Sequence, residues 1–142
     1  MSLTEWDNRY ELGIQMIDEH HKKLVELLNN TYNLMLYSTN KDEMQMILTE
    51  LLKFTHYHFD AEVQMMIESE YTGLKTHVSK HNIFKKQLDE MMQNYLSGAP
   101  HVDTDIVIFL WDWLQKHILK YDKKLAVYLS DRPQYILQGG GI

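Results

Sequence analysis

His77-Val78-Ser79-Lys80-His81-Asn82-Ile83-Phe84-Lys85-Lys86-Gln87-Leu88-Asp89-Glu90-Met91 is the stretch from which the fold can be read. His77, His81, Phe84, Leu88, Met91 and Tyr95 recur every three or four residues, the spacing of one helix face. The residues between them are mostly charged or polar, so the stripe points inward and carries two imidazoles into a core. Three more stretches repeat this design. Ile17, His21, Leu24, Leu28, Thr31 and Met35 form the first stripe, and Ile47, Leu51, Phe54, His58, Glu62 and Met65 the second. The last comprises Ile106, Leu110, Trp113, His117, Tyr121 and Leu125.

Breaks separate the four stripes. Asp18 is placed to cap a first helix running to about Tyr37, where Ser38-Thr39-Asn40 interrupts it. A second helix is expected from about Asp42 to Ile67 and a third from about Tyr71 to Leu96. Ser97-Gly98-Ala99-Pro100 is a strong stop. Asp103 then caps a fourth helix to about Leu129, ended by Asp131-Arg132-Pro133. The expected fold is all-α, an up-down-up-down four-helix bundle in one domain of residues 1–142. Residues 1–17 form an irregular arm with Trp6, Tyr10 and Ile14 available to pack, 18–129 the bundle, and 130–142 a tail ending in Gly139-Gly140-Gly141-Ile142.

Composition narrows the chemistry. A net charge of −6, with no Lys/Arg block, argues against nucleic acid as a partner. There is no cysteine, so any metal must be held by His, Asp, Glu or water. No window approaches the roughly 18 uninterrupted apolar residues of a membrane span. The start Met1-Ser-Leu-Thr-Glu-Trp-Asp has neither a basic region nor an apolar run, so a cytoplasmic protein without a membrane partner is expected. No residue pattern identifies a protein partner.

Seven side chains on the inward stripes and beside them are metal-ligand types: His21, His58, Glu62, His77, His81, His117 and Asp122. A lone histidine on an apolar face is ordinarily a hydrogen-bonded core residue, but seven such groups on four helices are not explained that way. Positions i and i+4 differ by about 40° around a helix, so His77/His81 and His58/Glu62 can each aim at one point. His117 and Asp122 are five apart, about 140° around an α-helix, so Asp122 is expected to reach across the seam and span two metals. Leaving these groups buried and unpaired would cost several kcal/mol per ion. Two divalent cations remove that cost, and imidazole with carboxylate suits iron, zinc, copper or nickel. Five imidazoles and two carboxylates leave two octahedral metals short of ligands, which admits a solvent bridge and one open position.

Three other histidines are read differently. His56 and His101 are expected in solvent, whereas His20 is either exposed or hydrogen-bonded near the cluster. Met65-Met66 and Met91-Met92 fill core space better than they would bind copper.

The combination resembles the hemerythrins, in particular the bacterial single-domain bacteriohemerythrins. It is carried by Trp6, Gly13-Ile14, Ile17-Asp18-Glu19-His20-His21-Lys22-Lys23-Leu24, His58-Phe59-x2-Glu62-x2-Met65, Tyr71-x5-His77-x3-His81-x2-Phe84 and Trp113-x3-His117-x4-Asp122. It spans roughly residues 3–129. The resemblance implies a four-helix bundle around two iron ions with an oxo or hydroxo bridge. His77, His81 and His117 would hold one iron, His21 and His58 the other, and Glu62 and Asp122 would bridge them. Dioxygen would bind reversibly, as a hydroperoxide, at the iron with fewer imidazoles, for carriage, storage or sensing. Leu24, Phe59, Trp113, Leu114 and Ile118 match positions that line the family's oxygen pocket. The family usually has Gln at the place of His20, an acid at that of Val63 and Pro at that of Thr72. The competing reading is a di-iron enzyme that reduces peroxide or nitric oxide or acts as an oxidase. The stripes hold no obvious proton-relay acid beyond the ligands, which favours binding over catalysis.

Overall fold

Helix α1 (Gln15–Tyr37) starts before Asp18, not at it. The computed structural model, which describes residues 6–38 and 40–136, shows why. Gly13 adopts a left-handed φ of +85°, which turns the arm sharply, and Ile14 is already extended as the N-cap. Asp18 is buried in the first turn, where its two oxygens accept from the N–H groups of Leu12 (2.8 Å) and Gly13 (2.9 Å). Its carboxylate thus ties the arm down instead of capping the helix. Burial pushes its pKa up, against the pull of those two N–H groups. The arm itself contains a short 3-10 turn, Asn8–Tyr10, and Ile14 pairs with Ile136 through a single antiparallel bridge.

Helix α2 (Lys41–Glu68) is capped by Asn40, whose side chain accepts from the N–H groups of Asp42 and Glu43. Those two acids in the first turn also suit the positive end of the helix dipole. Helix α3 (Leu74–Leu96) begins three residues later than Tyr71. Tyr71 instead folds back over Gly73, where a Cβ would lie 2.7 Å from its ring, so this placement of the ring depends on glycine. Helix α4 (Val102–His117) has His101 as its N-cap, with a left-handed φ of 63°, and Asp103 lies inside the first turn. The Asp103 carboxylate accepts from the Thr104 N–H at 2.9 Å and caps nothing further.

The fourth rod is not one continuous α-helix. Residues Ile118–Asp122 form a π-helical turn, after which α5 (Lys123–Leu129) resumes the α geometry. The N–H of Lys123 donates to the carbonyl of Ile118, five residues back, as a π turn requires. The Tyr128 hydroxyl donates to the Ser69 carbonyl at 2.7 Å and pins this rod to the α2–α3 turn. The rods close into an antiparallel four-helix bundle, α1 against α2 and α4, and α3 against α2 and α4. Among the described residues no sheet forms, and no helix is long and apolar enough to cross a membrane. The Gly139–Ile142 end of the expected tail and the first five residues of the arm lie outside the described residues.

The core comes in two parts. One apolar cluster contains Leu24, Leu28, Leu48, Leu51, Phe59, Phe84, Leu88, Ile106, Leu110 and Leu114. The other holds Ile14, Ile17, Met65, Met66, Leu125 and Leu129, so that methionine pair is packing material. Along every rod the polar ligand-type residues fall between the two clusters. A buried polar layer therefore crosses the bundle.

Candidate metal centre

Each rod brings its contribution to that layer by local geometry. His21 comes from α1, His58 and Glu62 from successive turns of α2, and His77 and His81 from successive turns of α3. His117 ends α4, and Asp122 closes the π turn that follows. All seven side chains are buried, none more than 3% exposed.

The π turn settles how His117 and Asp122 meet. On an α-helix a separation of five residues would point them about 140° apart. The π turn accommodates one additional residue, so both face the layer and His117 Nε2 lies 3.1 Å from Asp122 Oδ1. The extra residue is dispensable on this account. Deleting the exposed Lys120 should convert residues 102–129 into an uninterrupted α-helix, with His117 and Asp122 at the i, i+4 spacing. The variant is expected to keep its metal stoichiometry and helix content. Loss of metal with helix content unchanged would show that the π geometry itself is required.

Two donor sets result. Glu62, His77, His81, His117 and Asp122 place one donor atom each within 4.8 Å of one another, and so do His21, His58, Glu62 and Asp122. Glu62 and Asp122 belong to both. Asp122 divides its oxygens: Oδ1 lies 3.1 Å from Nε2 of both His77 and His117, and Oδ2 lies 2.9 Å from Nε2 of His21. Glu62 turns Oε1 to both sets, 3.2 Å from His81 Nε2 and 3.5 Å from His58 Nε2.

This donor set fits cations and not a self-contained hydrogen-bond network. The Nε2 atoms of His77 and His81 lie 3.1 and 3.2 Å from that of His117. A proton on one nitrogen can be directed at only one neighbour, whereas a cation between them engages all three. Both oxygens of Glu62, both of Asp122 and Nε2 of His21 are buried without a well-aligned hydrogen bond, despite their short contacts. Unmet polar atoms at this density would be costly, since each buried unsatisfied group loses about 1–3 kcal/mol.

Electrostatics supports the same reading. Burial opposes ionisation of Asp122, yet His117, His21 and His77 hold its carboxyl well below the usual range. Burial and the like charge of Asp122 push Glu62 up, but His58, His77 and His81 bring it down to about 2. Burial lowers His77 as well, and the two carboxylates overcome it and raise that imidazole to about 9. His58 shows the opposite balance: burial dominates and takes it to about 3. Both shifts favour the ionised carboxylates that coordination requires, and a divalent ion would take over the role of the proton on His77.

Aromatic rings fix the imidazole planes. Phe59 stacks on His81 at 3.9 Å and 12°, and Trp113 stacks on His117 at 4.2 Å and 14°. Leu24, Leu114 and Ile118 are buried in the same apolar cluster as Phe59, with Trp113 half-buried against it. Tyr121 also stacks on His117.

Outside the two sets, His101 is exposed, and the partly exposed His56 has Nε2 3.7 Å from Asp89 Oδ1. The sequence left His20 with two possible places. It is half-buried, and its Nδ1 lies 3.0 Å from Nδ1 of His58.

Residues 12–129 match the model of the hemerythrin HHE cation-binding domain. The chain belongs to the hemerythrin family. Among its relatives, a bacteriohemerythrin of Clostridium acetobutylicum is 29% identical, with 84% of this chain and 95% of that protein covered. A bacteriohemerythrin of Stenotrophomonas maltophilia is 26% identical over 89% of this chain and 81% of its own, and the myohemerythrin of Sipunculus nudus is 28% identical over 84% and 88%. The fold agrees with the crystal structure of a wild-type hemerythrin at a TM-score of 0.84, with 24% identity and coverage of 91% and 99%. The buried His/Glu/Asp cluster is thus a hemerythrin-type metal site in a hemerythrin fold.

Proposed function

We propose that this chain binds dioxygen reversibly at a pair of iron ions, for carriage, storage or sensing. The observation that carries this reading is the pair of donor sets sharing Glu62 and Asp122. His77, His81 and His117 would hold one ion and His21 and His58 the other, with both carboxylates bridging. The imbalance of three imidazoles against two leaves the His21/His58 side with room for a small ligand.

When bound, the iron pair supplies the electrons and the coordination position that dioxygen needs. The chain does the rest. Glu62 and Asp122 fix the separation of the two sites, and Phe59 and Trp113 stop the imidazoles of His81 and His117 from rotating. Leu24, Phe59, Trp113, Leu114 and Ile118 would line the oxygen pocket and exclude water, which limits proton delivery to bound oxygen and so its irreversible loss. The names of the relatives, bacteriohemerythrin and myohemerythrin, support the same assignment.

The test is an oxygen cycle. The anaerobically iron-loaded protein is expected to develop visible absorption on exposure to oxygen and to lose it when oxygen is removed, over repeated cycles. Oxidation in a single pass, with continued consumption of peroxide, would contradict oxygen binding and favour a di-iron enzyme.

A further inference from the structure

We propose that His20 is a positioning residue for His58: it accepts the Nδ1 proton of His58 and thereby presents the bare Nε2 of that ring to the metal. The proposal rests on the ligand assignment above. Its basis is the 3.0 Å separation of the two Nδ1 atoms. Two ring nitrogens this close share one proton, because two lone pairs would repel and two N–H groups would clash. If His20 donated, the neutral His58 would carry its proton on Nε2, the atom 3.5 Å from Glu62 Oε1, and could not coordinate through it. If His58 donates, Nε2 is free. Metal binding selects the second arrangement.

His20 is built to hold that place. It sits beside His21 on α1, so one helix turn supplies a ligand and the group that orients the ligand opposite it. Its ring packs edge-on against Phe54 at 5.5 Å and tilted against Tyr57 at 5.3 Å. Nδ1 of His21, His77 and His81, by contrast, is buried without a hydrogen-bond partner. The bond to His58 lies in the set with two imidazoles, where each ligand carries a larger share of the binding. Outer hydrogen bonds of this kind fix the tautomer and ring direction of a ligating histidine.

The test uses the full chain loaded with zinc, which is diamagnetic, and labelled with 15N in histidine. A scalar coupling between Nδ1 of His58 and Nδ1 of His20, transmitted through the shared proton, is expected in the wild type. His20→Leu removes the acceptor, and His20→Gln restores one through Oε1. Titration with zinc should show the weaker of two sites losing about 10–100-fold in affinity in His20→Leu. His20→Gln should recover most of that loss, and the tighter site should be unaffected in both. Wild-type affinity in His20→Leu would overturn the proposal while leaving the ligand assignment standing. So would a loss in His20→Gln equal to that in His20→Leu, which would assign the effect to packing against Phe54 and Tyr57. A wild type that takes up only one zinc ion would overturn both.

Discussion

Glu62→Gln is expected to lose tight binding of both metal ions and, separately, to destabilise the metal-free protein near neutral pH. The two halves of this expectation have different causes. Glu62 is fully buried and contributes an oxygen to both donor sets. Losing an outer partner of a ligand costs about 10–100-fold in affinity, so losing a shared ligand should cost more than about 100-fold. In the metal-free protein the carboxylate is a burden as well as a partner. Its burial and the like charge of Asp122 oppose the attraction of His58, His77 and His81. The attraction is the larger, since it holds the carboxyl down at about 2 despite burial, so a neutral amide leaves the facing imidazoles short of a partner. Removing one member of a buried charge pair costs about 3–5 kcal/mol. Metal titration followed by thermal unfolding, with and without metal, measures both halves. Retention of two tight ions would refute the role of Glu62 as a shared ligand, and a metal-free stability equal to that of the wild type would refute its attraction to the facing imidazoles.

Phe59→Ala should produce the largest loss of stability among the apolar residues around the centre. The side chain is 1% exposed, and it lies between the apolar cluster and the ligand layer. It packs edge-on against Phe84 and Trp113 as well as flat on His81. Truncation of a buried phenylalanine costs about 3–5 kcal/mol, through lost transfer free energy and the cavity left behind. The metal-free variant should therefore show a lower denaturant midpoint with an unchanged slope. In the iron-loaded protein, His81 loses its stacking partner and water gains a route to the layer, so oxygen cycling should fade faster. Phe59→Leu, which restores most of the volume, should recover most of the stability. A loss below about 1 kcal/mol in Phe59→Ala would mean that the site collapses around the missing ring without strain.

The four rods were readable from the sequence because the stripes at three- and four-residue spacing coincide with the buried faces. His58/Glu62 and His77/His81 were readable for the same reason, since i and i+4 share a face on any α-helix. His117 and Asp122 were identified as residues, but their geometry was not. A turn of 3.6 residues sets them about 140° apart, and only the π turn at Ile118–Asp122 brings them together. The signal was present in the spacing of five, which fits one turn of π-helix better than any turn of α-helix.

The helix starts failed where residue type stood in for geometry. Asp18 and Asp103 are both suited to N-caps, but the first is engaged by Leu12 and Gly13 and the second lies one residue inside its helix. Tyr71 lies before α3, with its ring folded back over Gly73. His20 depended on a neighbour 38 positions away, beyond the reach of any local pattern.

Two ions are expected to share Glu62 and Asp122 between unequal sets of imidazoles. Anaerobic titration of iron(II) into the metal-free chain, read as bound iron per chain, tests this most directly. Uptake is expected to stop at two ions per chain, one for each donor set. A stop at one ion, or uptake that continues past two without a break, would contradict it.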